Sequence, residues 1–366
     1  MSKFKVIQLL PELNIGGVER GTKDFSKVLV DRGHDSLVIS NGGVFEKDII
    51  EDGGKHINLP IHKKSLFSFR YASDLRGIYL SEKPDIVHVR SRMPAWINYF
   101  AYKKLSHKPL LVSTFHGLYS TPLYSQVMSK VDHIIAISKT VKDYIQGTYK
   151  VPNEKITVIP RGCDPEIFNK NPVEESWIKK WYEEFPQTQD KIILTMPTRI
   201  SKWKGVDSFI DLVNLLDDDN YHALIVGPTA KSKKSYLKQL QNKISNYGIE
   251  DKITITGSRN DISNIYKISD FVFNLSIKPE PFGRTTIEAI SSGSKVLGWN
   301  HGGTKEILEE LYPDGLVELD NIEDLAEKVI NLSNMTNSMP KENTFTSERM
   351  TNQTISLYQD LLAKRL

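Results

Sequence analysis

The sequence predicts an α/β protein built from two doubly wound parallel-sheet domains, and three observations carry that reading. Its 366 residues exceed what one core ordinarily organises and suit two units of roughly 150–200 residues. Short continuous apolar runs alternate with amphipathic stretches along nearly the whole chain. Such runs suit parallel strands covered on both faces, with helices as crossovers. Glycines and charged residues also recur just after the apolar runs, where open parallel sheets bind their ligands.

In the first half the predicted strands are residues 4–10, 36–40, 85–89, 110–114, 133–137 and 155–159. Helical patterns fill 18–32, closed by Gly33 as a C-cap, and 95–105, opened by Pro94. In the second half the strands are 192–196, 223–226, 253–256, 271–275 and 295–298, with helices at 205–216, 236–247, 285–291, 304–311 and 322–332. The segment 160–168 and the polar stretch 169–190 read as the junction. This gives an N-terminal domain 1–165, a C-terminal domain 166–345 and a final helix 346–366 with no strand after it. With two such domains facing each other, the expected site is the cleft between them. No fixed-period repeat or low-complexity tract interrupts the pattern.

Composition excludes several classes. Apolar residues at 39% and charged residues at 25% make a soluble globular mixture. No run reaches the roughly 18–20 apolar residues of a membrane span. The opening MSKFKVIQLLPELN reads as a strand, not a signal peptide. One cysteine, Cys163, makes no internal disulfide, so a cytoplasmic location is expected. The net charge of +3 is uneven: residues 1–165 hold 24 Lys and Arg against 16 Asp and Glu. A basic front half suggests an anionic partner there, a phosphorylated acceptor or an anionic membrane surface; chance variation between domains is the plainer reading.

Three stretches offer chemistry. The first strand runs into PELNIGGVER, with Gly16 and Gly17 just before a helix. Glycines there let the backbone approach an anion at a helix N-terminus, or simply form a tight turn. Their spacing is not G-x-G-x-x-G, which weighs against a nicotinamide enzyme. The strand 192–196 runs into PTRISKWKG, placing Arg199 and Lys204 at the mouth of the next helix. They could hold a diphosphate, the Arg as a fork and the Lys as a point charge, or remain solvated surface charges. The sharpest signal is FVFNLSIKPEPFGRTTIEAISSG at 271–293. After a strand come Glu280 and Phe282-Gly283, then a helix near Thr285 that carries Glu288. Amides around Gly283, Arg284 and Thr285 form a phosphate cradle. Glu288 is positioned for a ribose diol, and Glu280 for a sugar hydroxyl or a developing positive charge. The alternative makes Glu280 a surface residue and Glu288 a dipole-compensating acid.

The spacing Glu280-x₇-Glu288, with Arg199…Lys204-Gly205 and the early GGVER, resembles the retaining GT-B glycosyltransferases of the GT4 type along essentially the whole chain. The resemblance implies two Rossmann-like domains facing a cleft, a nucleotide-sugar donor held by the C-terminal domain and an acceptor held by the N-terminal one. It also implies that helix 346–366 crosses back over the N-terminal domain. Carried over by position, Arg199 and Lys204 grip the donor diphosphate, Glu288 the ribose, and Glu280 lies near the donor sugar. Gly16 and Gly17 match the loop closing over the donor from the opposite domain. His116, in STFHG, matches a histidine that meets the donor sugar, and the backbone near Gly257, Ser258 and Arg259 the nucleobase site. Where many members read Asn-Gly-Val-Asp after the interdomain proline, this chain has Arg161-Gly162-Cys163-Asp164, and Arg161 is given no catalytic role.

No resident cofactor is expected, and no metal. The one acidic triplet, Asp217-Asp218-Asp219, precedes a strand and so falls at the wrong end of the sheet for a ligand. Arg199, Lys204 and helix amides would neutralise the leaving diphosphate instead. The expected reaction is metal-independent, front-face transfer with retention from a donor that is UDP-linked by family frequency. On the acceptor side, HVRSRMPAW places Arg90 and Arg92 after a strand, to bind an acceptor anion or to serve as ordinary loop arginines. HKKSLFSFRY at 62–71 interleaves Lys63, Lys64 and Arg70 with Leu66, Phe67, Phe69 and Tyr71, which suits a lipid headgroup surface. A glycan or lipid-linked acceptor follows, such as a lipopolysaccharide core, with peripheral attachment at the inner face of the cytoplasmic membrane. Nucleic acid is a poor alternative, since no recognised motif accompanies the charge. A nucleotide-sugar epimerase or hydrolase, and a non-catalytic sugar-nucleotide-binding protein, are the rival readings.

Overall fold

The computed structural model describes residues 3–335 and 337–365, which form two compact units. One takes in the chain as far as Pro160 and resumes at Met350; the other is Arg161–Arg349.

The first unit holds a seven-stranded parallel sheet, ordered β3-β2-β1-β4-β5-β6-β7. Its strands are β1 (Lys5–Leu9), β2 (Asp35–Ser40), β3 (Lys55–Asn58), β4 (Ile86–Val89), β5 (Leu110–Phe115), β6 (His133–Ala136) and β7 (Ile156–Val158). Every residue of β4, β5 and β6 is buried, as a parallel sheet covered on both faces requires. The helices are α1 (Gly17–Asp31), α2 (Glu46–Glu51), α3 (Tyr71–Glu82), α4 (Arg92–Lys103), α5 (Pro122–Ser125) and α6 (Lys139–Tyr149). Gly33, at φ +80°, ends α1, and the next amide, His34, donates to Leu29 O at 2.9 Å. This left-handed C-terminal turn is the one a glycine makes at least cost. Strand order reverses between β1 and β4, so the loops after these two strands flank the natural ligand crevice of this sheet.

The second unit repeats the design with six parallel strands, ordered β10-β9-β8-β11-β12-β13. These are β8 (Ile192–Pro197), β9 (Tyr221–Val226), β10 (Ile253–Gly257), β11 (Phe271–Asn274), β12 (Lys295–Trp299) and β13 (Leu316–Val317). Its helices are α7 (Glu175–Glu184), α8 (Val206–Leu216), α9 (Lys234–Tyr247), α10 (Ile262–Lys267), α11 (Arg284–Ser291), α12 (Gly302–Leu311) and α13 (Ile322–Ser333). Here the order reverses between β8 and β11.

The last helix, α14 (Ser347–Ala363), contributes Ile355 and Tyr358 to the first unit's core beside Phe4, Phe25 and Val112. Tyr358 OH lies 2.5 Å from His88 Nδ1, and His88 Nε2 lies 2.7 Å from Thr114 Oγ1. A histidine in the middle of a buried strand is thereby satisfied at both nitrogens.

The polar stretch 169–190, read above as junction, instead holds α7 and belongs to the second unit's core. Trp177, Trp181 and Phe185 recur at a spacing of four, which puts them on one helix face. Trp177 stacks on Trp181 at 5.2 Å, Trp181 meets Phe185 at 4.6 Å, and Trp181 Nε1 donates to Thr188 Oγ1. Trp181→Ala should cost about 3–5 kcal/mol of stability, read as a lower urea midpoint; an unchanged midpoint would assign this stripe no part in the core.

Candidate functional site

In the second unit the crevice between β8 and β11 gathers the sequence-predicted residues. The loop leaving β8 ends at Gly205, which caps α8 with φ +77°. A Cβ there would strike the carbonyl oxygen of Leu275, at the end of β11. Glycine thus lets the two loops approach, and Ile277 N donates to Trp203 O at 2.9 Å to join them. As a result Lys204 Nζ and Glu280 Oε1 form a direct ion pair, both largely buried. Ser276 Oγ donates to the same Glu280 oxygen at 2.7 Å, and Lys204 Nζ sits 4.3 Å from the Trp203 ring centre. Arg199 lies exposed on the same loop.

Helix α11 begins beyond this pair. Gly283, at φ +103°, is its N-cap. The amides of Arg284 and Thr285 start the helix, so its partial positive charge faces the crevice side of the sheet. Glu288 is buried one turn in, and Arg284 Nη2 donates to its Oε1 at 2.8 Å. The arginine side chain is therefore engaged with the carboxylate rather than standing open beside the amides. Phe282 is buried and meets Phe345 edge-on at 5.9 Å. Only its backbone is left to the site. Ser258 is exposed just after β10. Arg259 is not available as a nucleobase contact through its side chain: it donates to both oxygens of Glu184 at 2.9 and 3.0 Å and to both oxygens of Asp261 at 3.0 and 2.7 Å. These carboxylates hold its guanidinium firmly charged.

Sequence reasoning missed Gly302, Gly303 and Thr304. A Cβ at Gly302 or Gly303 would collide with the backbone of Pro279, Glu280 or Phe282, and Gly303 N donates to Glu280 O at 2.8 Å. The start of α12 thus props the loop that carries Glu280. Thr304 Oγ1 is buried with no hydrogen-bond partner among the described residues, and it lies 3.3 Å from where a Cβ at Gly283 would sit. The signal was present in the sequence as a further Gly-Gly pair between a strand and a helix. The triplet Asp217-Asp218-Asp219 follows α8 and precedes β9, and Lys252 pairs with Asp217 and Asp219 at 3.2 and 3.1 Å. It stands at the opposite end of the sheet from Glu280.

In the first unit Gly16 caps α1, and Glu19 folds back so closely that a Cβ at Gly16 would strike its carboxylate. His116 follows β5 directly, half-buried, with its backbone N–H 3.4 Å from Tyr119 OH. Arg90 does not reach an acceptor surface. It is 6% exposed, its Nε donates to Gln8 Oε1 at 2.8 Å, and burial lowers its pKa to about 10. Arg92 is only partly buried and lies over the Tyr119 and Tyr124 rings.

Paired units of this kind, with an anion-ready crevice at the strand reversal of the second, define the GT-B architecture. The Glycosyltransferase Family 4 profile matches residues 15–167 and the Glycosyl transferases group 1 profile residues 178–348. The chain belongs to this family of glycosyltransferases. A crystal structure of a glycosyltransferase from Rickettsia africae ESF-5 is 30% identical, covers 99% of both chains and aligns with a TM-score of 0.87. Anabaena HepE, solved in complex with UDP and glucose, shares the fold at 20% identity and a TM-score of 0.77, over 98% of this chain and 100% of that one. The N-acetyl-alpha-D-glucosaminyl L-malate synthase of Bacillus anthracis is 23% identical over 95% of each sequence. One component of the human phosphatidylinositol N-acetylglucosaminyltransferase is 25% identical over 81% of this chain, which spans only 62% of that protein's length.

Proposed function

We propose that this glycosyltransferase moves a sugar, with retention, from a UDP-linked donor to a hydroxyl of a glycan or lipid-linked acceptor, without a divalent metal. The observation that carries the reading is the Lys204–Glu280 pair set beside the α11 N-terminus. A cation and free helix amides there would take up charge on a departing diphosphate, the kind of preorganised stabilisation that speeds group transfer most. Glu280 holds the lysine in place and sits where a carboxylate would face the sugar. Glu288 would take the ribose, with Arg284 steadying it. Glu280 is already taken up by Lys204 and Ser276, which weighs against its acting as a nucleophile in a double displacement and favours front-face attack with the departing phosphate oxygen taking the acceptor's proton. The UDP in the Anabaena HepE complexes supports the choice of base.

The acceptor reading draws on the basic first unit and on the phosphatidylinositol named for the human relative. Among the described residues no helix is long and apolar enough to cross a membrane. We place the enzyme at the inner face of the cytoplasmic membrane as a peripheral protein of envelope glycan assembly, lipopolysaccharide being one such product.

A thermal-shift screen of nucleotide sugars tests the donor. At about 100 times its Kd, the true donor should raise the melting temperature by roughly 5–10 °C, and the shift and the transfer should both survive EDTA. No shift with any nucleotide sugar would reject the donor site, and loss of transfer under EDTA would reject the metal-free mechanism. Donor turnover that no acceptor accelerates would instead favour a hydrolase.

A further inference from the structure

A groove of about 530 Å³ opens on the first unit among residues 64–69, α4 and the start of α5. Its walls are aromatic. Phe69 meets Phe100 edge-on at 5.1 Å, and Trp96 stacks with Phe100 at 6.2 Å and with Tyr124 at 6.5 Å. Trp96 Nε1 donates to Tyr124 O at 2.8 Å, which satisfies the indole's one polar group and leaves an apolar ring to line the groove. Around it Leu66, Phe67 and Leu123 are 84%, 83% and 87% exposed. Single exposed apolar side chains are ordinary; three gathered about one apolar groove mark a surface that is covered in use.

The charged side chains that line the groove have one sign: Lys64 and Arg92 are among its walls, and no aspartate or glutamate is. Arg92 lines the groove with its guanidinium 4.8 Å from the Tyr119 ring centre, and its Nη1 donates to Thr121 Oγ1 at 3.1 Å and to Ser125 Oγ at 3.4 Å. The remaining donors of a guanidinium fork suit a phosphate. Lys64 stands exposed at the rim. An apolar slot ringed by cations complements a molecule with a hydrocarbon tail and an anionic head. A protein partner would have to supply both an apolar plug and carboxylates for Arg92 and Lys64, whereas an anionic lipid carries the two in one molecule.

We propose that this groove receives one acyl chain of an anionic phospholipid, with Arg92 and Lys64 meeting its phosphate, and so seats the enzyme on a bilayer. Its purpose, bringing the enzyme to a lipid-borne acceptor, rests on the transferase reading; the binding itself does not.

The test uses the full chain and vesicles of phosphatidylcholine alone or with 30% phosphatidylglycerol, at low salt. The chain should sediment with the mixed vesicles and not with phosphatidylcholine alone. Phosphatidylglycerol brominated at mid-chain should quench tryptophan fluorescence, and Trp96→Phe should abolish that quenching without abolishing sedimentation. The double variant Leu66→Ser, Phe67→Ser alters only exposed side chains, so it should stay folded. It should weaken vesicle binding at least about tenfold while nucleotide release from the donor, measured without vesicles, is unchanged. Equal binding to neutral vesicles, quenching that survives Trp96→Phe, or vesicle binding untouched by the double variant would each overturn the proposal. A chain that binds vesicles as described yet transfers no sugar would reject the donor site and leave this groove standing.

Discussion

Lys204→Ala should lower sugar transfer at least about 100-fold, with the larger part of the loss in kcat. The lysine is nearly enclosed, bonded to Glu280 and set against the Trp203 ring. Its charge therefore acts through little water, where a fixed cation is worth more than at an open surface. It would matter most once the diphosphate begins to carry the leaving charge, so binding of the intact donor should suffer less than turnover. The substitution also strips Glu280 of its cation, although Ser276 Oγ still donates to the same oxygen. Lys204→Arg separates the two roles: it keeps the charge and a partner for Glu280 but alters the reach, and it should recover more of the donor binding than of the rate. Steady-state kinetics of the three proteins decides the matter. Near-wild-type turnover by the alanine variant would remove Lys204 from the mechanism.

Gly205→Ala should be the most damaging small substitution in the second unit, at a cost of roughly 3 kcal/mol or more. Two effects add. Alanine resists a backbone at φ +77°, and its methyl group would be driven into the Leu275 carbonyl oxygen. Neither neighbour can give way cheaply, because one is the N-terminus of α8 and the other the end of β11. Gly248 supplies the control. It ends α9 at φ +66° with nothing within 4 Å of the place a methyl group would take, so Gly248→Ala carries the backbone cost alone, about 1 kcal/mol. Urea denaturation of both variants measures the difference. Equal losses would mean that the approach of the two loops is not what fixes Gly205. Because Lys204 precedes it directly, transfer should fall together with stability.

What the sequence reveals and what it hides divide along physical lines. Strands such as β5 and β8, covered on both faces, are legible because burial demands an unbroken apolar run. The edge strand β3, KHIN, and the two-residue β13 are not, since neither carries such a run. Helix α7 is hidden in a polar stretch because its apolar residues, Trp177, Ile178, Trp181 and Tyr182, are set among Glu and Lys, and α6 (Lys139–Tyr149) was not read from the sequence. The positions of Lys204, Glu280 and Glu288 were legible because a residue just after a parallel strand has one place to go. Their partners were not read: the i,i+4 spacing of Arg284 and Glu288 offered their pair but went unused, and nothing in the sequence says that Arg259 is claimed by Glu184 and Asp261. Arg90 reads as a loop cation by the same rule, yet it is buried against Gln8. The polar residue in the middle of the otherwise apolar β1 was the available hint.

The return of the chain to its first unit has a consequence for biosynthesis. Residues 161–349 form an uninterrupted stretch, whereas the earlier unit lacks Ile355 and Tyr358, and hence the hydroxyl that meets His88, until all of that stretch has been made. Order of completion therefore reverses order of synthesis. The nascent polypeptide must shelter an unfinished apolar surface, beside Phe4 and Phe25, through nearly two hundred further codons, which makes that surface the natural place for a chaperone to hold.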